Sequence, residues 1–99
     1  MIKHIVMWKL REEAHGNDKA ANAKLIREKL EALSGKIDGL CKIEVGIDIL
    51  GGNNFDVVLY SELESMAALD DYQRHPLHQA VLPFVRDAVV ERVAVDYEI

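Results

Sequence analysis

The chain has few of the features that mark several large classes of protein. Its 99 residues contain a single cysteine, Cys41, so no disulfide can form within the chain and a reducing compartment is expected. No apolar stretch approaches the ~20 residues that span a bilayer, and no segment has the apolar core and small-residue cleavage site of a secretory signal. The sequence therefore predicts a cytoplasmic protein without a membrane partner.

Basic residues are also scarce relative to acidic ones. Lys and Arg number 12 against 17 Asp and Glu, a net charge of −5, and no basic run interrupts this acidic balance. Because a phosphate backbone would be repelled by such a surface, no nucleic-acid partner is predicted. Hydrophobic residues form 49% and charged residues 29% of the chain, the balance of an ordinary globular protein, so a single domain over residues 1–99 is expected.

Alternation of apolar and polar residues predicts four strands. Residues 2–10 are apolar on both faces at their centre, which is typical of a strand covered on both sides. Residues 40–50 alternate more regularly, and "GGNN" at 51–54 is expected to close a hairpin into a strand over 55–63. Residues 88–99 predict the last strand.

The segment after the first strand predicts a loop and then an amphipathic helix. Residues 11–18 are polar, with Asn17 or Asp18 placed to cap the helix. Apolar residues then recur at spacings of three and four through about residue 34, and Gly35 suits the position after a helix end.

The segment between the last two strands predicts a broken helical region. Ser65 is placed to cap a helix over 66–74, and Pro76 disfavours helical geometry at His75. Pro76 also suits the first position of a second, short helix, which Pro83 is expected to bend or end.

The resulting order, β-α-β-β-α-β, predicts a ferredoxin-like α+β fold. Short connections and right-handed crossovers favour a four-stranded antiparallel sheet with its helices on one face. The uncovered face would carry apolar side chains such as Ile5, Met7, Val58 and Tyr60. Since monomers rarely expose a patch of that size, we expect a homodimer formed through the sheet face.

Three segments of the chain resemble the stress-responsive A/B-barrel (Dabb) family of dimeric α+β barrels. They are the opening "MIKHIVMWKL", the closing "VERVAVDYEI" and "DYQRHPLH" at 71–78, whose Tyr-x-x-His-Pro-x-His element is the most specific. The resemblance covers nearly the whole chain. It implies a ferredoxin-like protomer whose sheet pairs with that of a second copy, in a family whose members mostly have no assigned function.

A plant branch of the family closes linear polyketides by cofactor-free intramolecular aldol condensation, using a tyrosine and a histidine of this motif. The resemblance places them at Tyr72 and His78, and a histidine of the first strand corresponds to His4. The chain departs from that branch at Asp56, which replaces a pocket histidine of the third strand. Its first helix also has aliphatic instead of aromatic side chains.

These side chains suit acid/base chemistry if they converge on one pocket. A neutral imidazole at His78 could accept a proton from an acidic carbon. Tyr72 could donate a hydrogen bond to a carbonyl oxygen as negative charge develops there, and His4 could orient the substrate or assist the proton transfer. In the alternative interpretation, all three only cap helix ends and satisfy backbone groups around Pro76.

The predicted ligand is a small, partly apolar molecule with a carbonyl group. Its pocket would lie between sheet and helices, with walls from Val6, Trp8, Ile26 and Leu82. A cofactor-free cyclase, isomerase or lyase is the expected enzyme type, because no dinucleotide, flavin or haem signature is present. Two alternatives stay open: a non-catalytic, stress-related binding or interaction module, and a cofactor-free monooxygenase by analogy of fold alone.

The second half of the motif also offers metal ligands. His75 and His78, with Asp70 or Asp71, supply enough nitrogen and oxygen for zinc or a related ion. Pro76 disturbs the helical spacing that would aim both rings at one ion, so no metal site is predicted. His75 is interpreted instead as a hinge or N-cap residue.

Structural roles are predicted for two other residues. His15 lies in a polar loop and is expected to be solvated. Cys41 alternates with the core residues of its strand, and Ile49 shares that face, so Cys41 is expected to be an inert buried thiol.

Overall fold

Four strands form one antiparallel sheet in the computed structural model, which describes residues 1–99. In chain order the elements are β1 (Ile2–Leu10), β2 (Glu13–Ala14), β3 (Asn17–Asp18), α1 (Lys19–Glu31), β4 (Leu40–Ile47), β5 (Val57–Leu63), α2 (Met66–Arg74), α3 (Pro76–Ala88) and β6 (Val89–Glu98). The strand order is β4-β5-β1-β6. This ferredoxin-like α+β arrangement confirms the predicted fold class.

The core lies between the helices and one face of the sheet. Alternate residues of β1 and β5 are buried on that face, among them Val6 and Leu59. α1 packs Ile26 and Leu30 against them, since residues four apart lie on one side of a helix. Burying one such side chain contributes about 1.5–3 kcal/mol to the free energy of unfolding.

No helix covers the other face of the sheet, which we call the open sheet face. On it Ile5 of β1 lies between Tyr60 of β5 and Val95 of β6. Met7 pairs with Val93, and Met7, Val93 and Val95 are all exposed. Apolar side chains of three neighbouring strands therefore lie together at the surface.

The connection between β4 and β5 is longer than predicted. It covers residues 48–56, where the sequence predicted a tight turn at 51–54. The Asp48 carboxylate accepts hydrogen bonds from a backbone N–H of this connection (2.6 Å) and from the side chain of Asn54 (2.9 Å). These contacts replace strand pairing, so the expectation that Ile49 faces the core was wrong: its side chain is 100% exposed.

Cys41 is exposed, and the prediction of a buried thiol was wrong. Leu40 and Lys42 pair with consecutive residues of β5, so Cys41 is an extra, unpaired residue of β4. Such a β-bulge interrupts the alternation of faces, and the inward positions resume only at Ile43.

α3 continues through Pro83 to Ala88, which corrects the prediction of a short helix. Proline removes one helical N–H, but the buried face of α3, with Val81 and Val85, holds the helix against the core. Helix capping agrees with the sequence: Asp18 accepts a hydrogen bond from a backbone N–H of α1, and Ser65 does the same for α2. α1 ends a few residues earlier than predicted, in a series of turns.

A small hairpin, β2–β3, forms within the predicted loop at 11–18. It turns at His15 and Gly16, both at positive φ (55° and 74°), a conformation that glycine adopts without steric cost. The His15 ring stacks on Phe84 of α3 with centroids 4.1 Å apart, and its Nε2–H donates to the Phe84 carbonyl oxygen (3.0 Å). His15 is exposed, but it also attaches the hairpin to α3.

None of the helices is both long enough and apolar enough to cross a membrane.

Candidate functional site

A cavity of about 550 Å³ lies between the sheet and α3. A volume of this size is typical of small-molecule sites. The residues that line it are His4, Val6, Trp8, Leu30, Leu59, Gln73, His78, Gln79, Leu82, Val85, Arg86, Val89 and Arg92. Most of this wall is apolar, with polar groups contributed mainly by histidine, glutamine and arginine.

β1 forms one wall of the cavity. His4, Val6 and Trp8 are alternate residues of the strand and therefore share the face that meets the helices. The sheet register places Asp96 of β6 beside His4. The Nδ1 of His4 is hydrogen-bonded to the Asp96 carboxylate. An ionised carboxylate only accepts, so Nδ1 carries the proton, and Nε2 is the atom of His4 that is left to exchange a proton with a ligand.

α3 forms the facing wall. His78, Leu82 and Arg86 follow one another at intervals of four residues and so lie along one side of the helix. The Nδ1 of His78 lies 3.1 Å from the Gln73 carbonyl oxygen, which accepts the Nδ1–H. Burial lowers the pKa of His78 from its usual 6.5, and the charges of neighbouring histidines act in the same direction. His78 is therefore neutral at pH 7, with Nε2 unprotonated.

Tyr72 lies beside the two histidines but is not part of the cavity lining. Its ring centroid is 4.6 Å from that of His78 and 6.3 Å from that of His4. Burial raises the pKa of Tyr72 to about 12, so the phenol keeps its proton at neutral pH. Its hydroxyl is buried and has no hydrogen-bond partner, a costly state that buried polar groups rarely adopt.

Of the four apolar residues predicted to line a pocket, three do so. Val6, Trp8 and Leu82 are part of the lining. Ile26 is instead fully buried in the core. Leu30, one turn further along the same face of α1, lines the cavity in its place.

Sequence reasoning missed three charged residues: Asp96 beside His4, and Arg86 and Arg92 on the cavity wall. For β6 the signal was present in the alternation of the last strand. Arg92 and Asp96 occupy the positions between the apolar residues of the open sheet face, so they belong to the side that His4 faces.

Asp56 does not line this cavity, although the family resemblance aligned it with a pocket histidine. Its carboxylate accepts the backbone N–H of Leu10 (2.8 Å) and lies 3.6 Å from the Nζ of Lys19. Asp56 also lines a second cavity, of about 450 Å³, which is bounded by β4, β5 and their connection. Its contacts give it a structural role at the end of β1.

His75 is the N-cap of α3, which is one of the two roles predicted for it. Its Nδ1 accepts the backbone N–H of Leu77 (3.1 Å). Asp70 and Asp71 form ion pairs with Arg74 on the exposed side of α2. No group of three or more His, Cys, Asp or Glu side chains is arranged to hold a metal ion.

The chain is similar to known proteins over its whole length. A family model described as Stress responsive A/B Barrel Domain matches residues 2–99. A dimeric protein of unknown function and ferredoxin-like fold from Bacteroides fragilis is 35% identical, with a TM-score of 0.88, covering 99% of this chain and 95% of that one. A comparison with curated proteins found no match.

Two more distant structures share the fold. A dimeric ferredoxin-like protein of unknown function from Thermobifida fusca is 24% identical, with a TM-score of 0.85, covering 99% of this chain and 90% of that one. A hydroxynitrile lyase from Passiflora edulis is 17% identical, with a TM-score of 0.80, covering 99% of this chain and 92% of that one.

Proposed function

Because the chain belongs to the stress-responsive A/B-barrel family, we propose that it is a homodimer whose cavities bind a small, partly apolar, carbonyl-containing molecule. On that ligand, His78, Tyr72 and His4 carry out cofactor-free acid/base chemistry of the cyclase, isomerase or lyase type. The observation that carries this proposal is a pair of imidazoles on one cavity, each held through Nδ1 so that Nε2 is free.

His78 is the proposed general base. Its lowered pKa keeps the ring neutral at pH 7, and its Nε2 lone pair can take a proton from the carbon beside the ligand's carbonyl. The electron pair of the broken C–H bond then moves to the carbonyl oxygen and forms an enolate. In a ligand with a double bond conjugated to the enolate, return of the proton from Nε2 to the far carbon of that system would isomerise the ligand. In a ligand with a second carbonyl, attack of the enolate carbon on that carbonyl would close a ring, and the alkoxide formed from its oxygen would take the proton back from Nε2.

Tyr72 is the proposed donor to the enolate oxygen. Its phenol stays protonated, and its buried hydroxyl has no acceptor in the structure. A ligand oxygen that reaches past the cavity-lining rings of His4 and His78 would supply this acceptor. A hydrogen bond to a charged oxygen is stronger than one to a neutral carbonyl. The contact would therefore stabilise the transition state more than the bound ligand.

His4 has the proposed role of orienting the ligand and assisting proton transfer. Asp96 fixes the tautomer of His4 by binding its Nδ1–H, so Asp96 acts as a positioning residue. The fold is compatible with lyase chemistry, since a hydroxynitrile lyase shares it.

The proposed dimer interface is the open sheet face. Met7, Val93 and Val95 are exposed there, and similar structures from two bacteria are dimeric. The same face carries a polar cluster in which the Tyr60 hydroxyl accepts from Lys3 (2.7 Å) and donates to a neighbouring glutamate (2.6 Å). These groups would enter an interface already paired, which reduces the cost of burying them.

Proton exchange at carbon tests the chemistry without knowledge of the natural substrate. Octan-2-one is incubated with the protein in D2O, and deuterium uptake beside its carbonyl is followed by proton NMR. We expect the wild type to accelerate uptake and His78→Gln to slow it by about 100-fold, the lower range for loss of a general base. His15→Gln, which removes an imidazole outside the cavity, is the matched control and should exchange like the wild type.

Binding of octan-2-one without accelerated exchange would contradict the acid/base proposal and favour the non-catalytic binding module. Equal loss of exchange in His78→Gln and His15→Gln would also contradict the role given to His78.

A further inference from the structure

Two arginines without ion-pair partners lie on the cavity wall. Arg86 of α3 and Arg92 of β6 both line the cavity, and neither takes part in any ion pair of the structure. By contrast, Arg27 and Arg74 are paired with acidic residues of their own helices. The guanidinium N–H donors of Arg86 and Arg92 are therefore available to a ligand in the cavity.

The cavity has a charge opposite to that of the chain. Acidic residues outnumber basic ones by 17 to 12 overall, yet no Asp or Glu is part of the cavity lining. Asp96 is bonded to the Nδ1 of His4 and lies outside the lining. A cleft lined by charge of one sign, with apolar walls, raises the local concentration of ligands of the opposite sign.

Both walls place histidine at one end and arginine at the other. On α3, His78 and Arg86 are separated by slightly more than two helical turns, which is roughly 12 Å along the helix axis. On the sheet, His4 and Trp8 are separated by roughly 13 Å, and Arg92 is the register partner of Trp8. Because α3 leads directly into β6, the two arginines lie at the same end of the cavity.

We propose that the ligand carries an oxyanion, a carboxylate or a phosphate, at the end opposite its reacting carbonyl, and that Arg86 and Arg92 bind this group. The inference rests on the proposed function, since it gives the chemical class of ligand for the same cavity. A guanidinium group presents parallel N–H donors that match two oxygens of either anion. Val6 and Leu82 lie between the two ends and suit an apolar spacer.

Three probes of equal chain length test this assignment by calorimetry: octanoate, octyl phosphate and neutral octan-1-ol. We expect the wild type to bind at least one oxyanion about tenfold more tightly than the alcohol, as charge-assisted hydrogen bonds predict. The more tightly bound oxyanion identifies the group. Arg86→Gln/Arg92→Gln should lose this preference and still bind the alcohol, while Arg27→Gln/Arg74→Gln, with the same change of net charge, should keep it.

The outcomes separate this inference from the proposed function. If the alcohol binds the wild type as tightly as both oxyanions, or if Arg86→Gln/Arg92→Gln keeps the preference, the arginine site is wrong and the cavity proposal stands. If none of the three probes binds, both proposals fail. If the double variant does not fold, the single variants Arg86→Gln and Arg92→Gln test the arginine site instead. Each is expected to lose part of the preference for the oxyanion over the alcohol.

Discussion

Replacing Tyr72 with phenylalanine should make the protein more stable. The Tyr72 hydroxyl is buried without a partner, and leaving such a group unsatisfied costs about 1–3 kcal/mol. Phenylalanine keeps the ring that packs beside His4 and His78 and removes only the oxygen. We therefore expect the free energy of unfolding to rise by about 1 kcal/mol, which corresponds to about 4–8 °C in Tm for a domain of this size.

Urea unfolding at a fixed protein concentration measures this change, since concentration affects the apparent stability of a dimer. Tyr60→Phe is the matched control and should be destabilising, because the Tyr60 hydroxyl bonds both Lys3 and Glu62. In the octan-2-one assay Tyr72→Phe should lose about 100-fold in exchange rate, the loss typical of one oxyanion donor. A Tyr72→Phe variant less stable than the wild type by about 1 kcal/mol would refute the reasoning, because its hydroxyl would then have a partner.

Three further predictions address titration, steric packing and assembly. The pKa of His78 is lowered on folding, so the unfolded chain binds this proton more tightly than the folded chain does. The resulting contribution of His78 to the free energy of unfolding is present above about pH 6.5 and is lost as pH falls through the lowered pKa. Urea titrations across this range should show a shallower pH dependence for His78→Gln, and equal slopes would argue against it. Gly39→Ala should lower the free energy of unfolding by more than about 2 kcal/mol, because residue 39 has a φ of 84° and its new Cβ would lie 2.7 Å from a side chain of α2. Gly35→Ala, at φ 76° but in open space, should lower it by about 1 kcal/mol. Equal losses would exclude the steric effect. Met7→Glu should give monomers by light scattering while Ile49→Glu, on the exposed connection, stays dimeric; a dimeric Met7→Glu would place the interface elsewhere.

Features of the fold that depend on local sequence were predictable. Burial sets the alternation of β1 and the helical spacing of α1, and the caps at Asp18, Ser65 and His75 depend on residues close in sequence. The end of β4 was not predictable in this way. The hydrogen bonds of Asp48 compete with strand pairing there, and no periodicity in the sequence indicates them.

The candidate site was predictable where a motif marks it and not where it depends on strand register. Tyr72 and His78 were found through their motif, and the structure places them side by side. Alternation assigns Arg92 and Asp96 to the helix side of β6, but their places beside Trp8 and His4 depend on the pairing of β6 with β1, which no local pattern specifies. The same limit explains Cys41, whose outward position follows from one unpaired residue in the β4–β5 register.

The contact between His4 and Asp96 joins residues 92 positions apart. Bringing residues of such separation together costs more conformational entropy than forming a local contact. A partly folded chain, even one with its helices and the β4–β5 hairpin in place, would therefore have no complete site. A ligand that uses this end of the cavity would bind only chains whose first and last strands have paired, and its presence would favour completion of folding over release of the last strand.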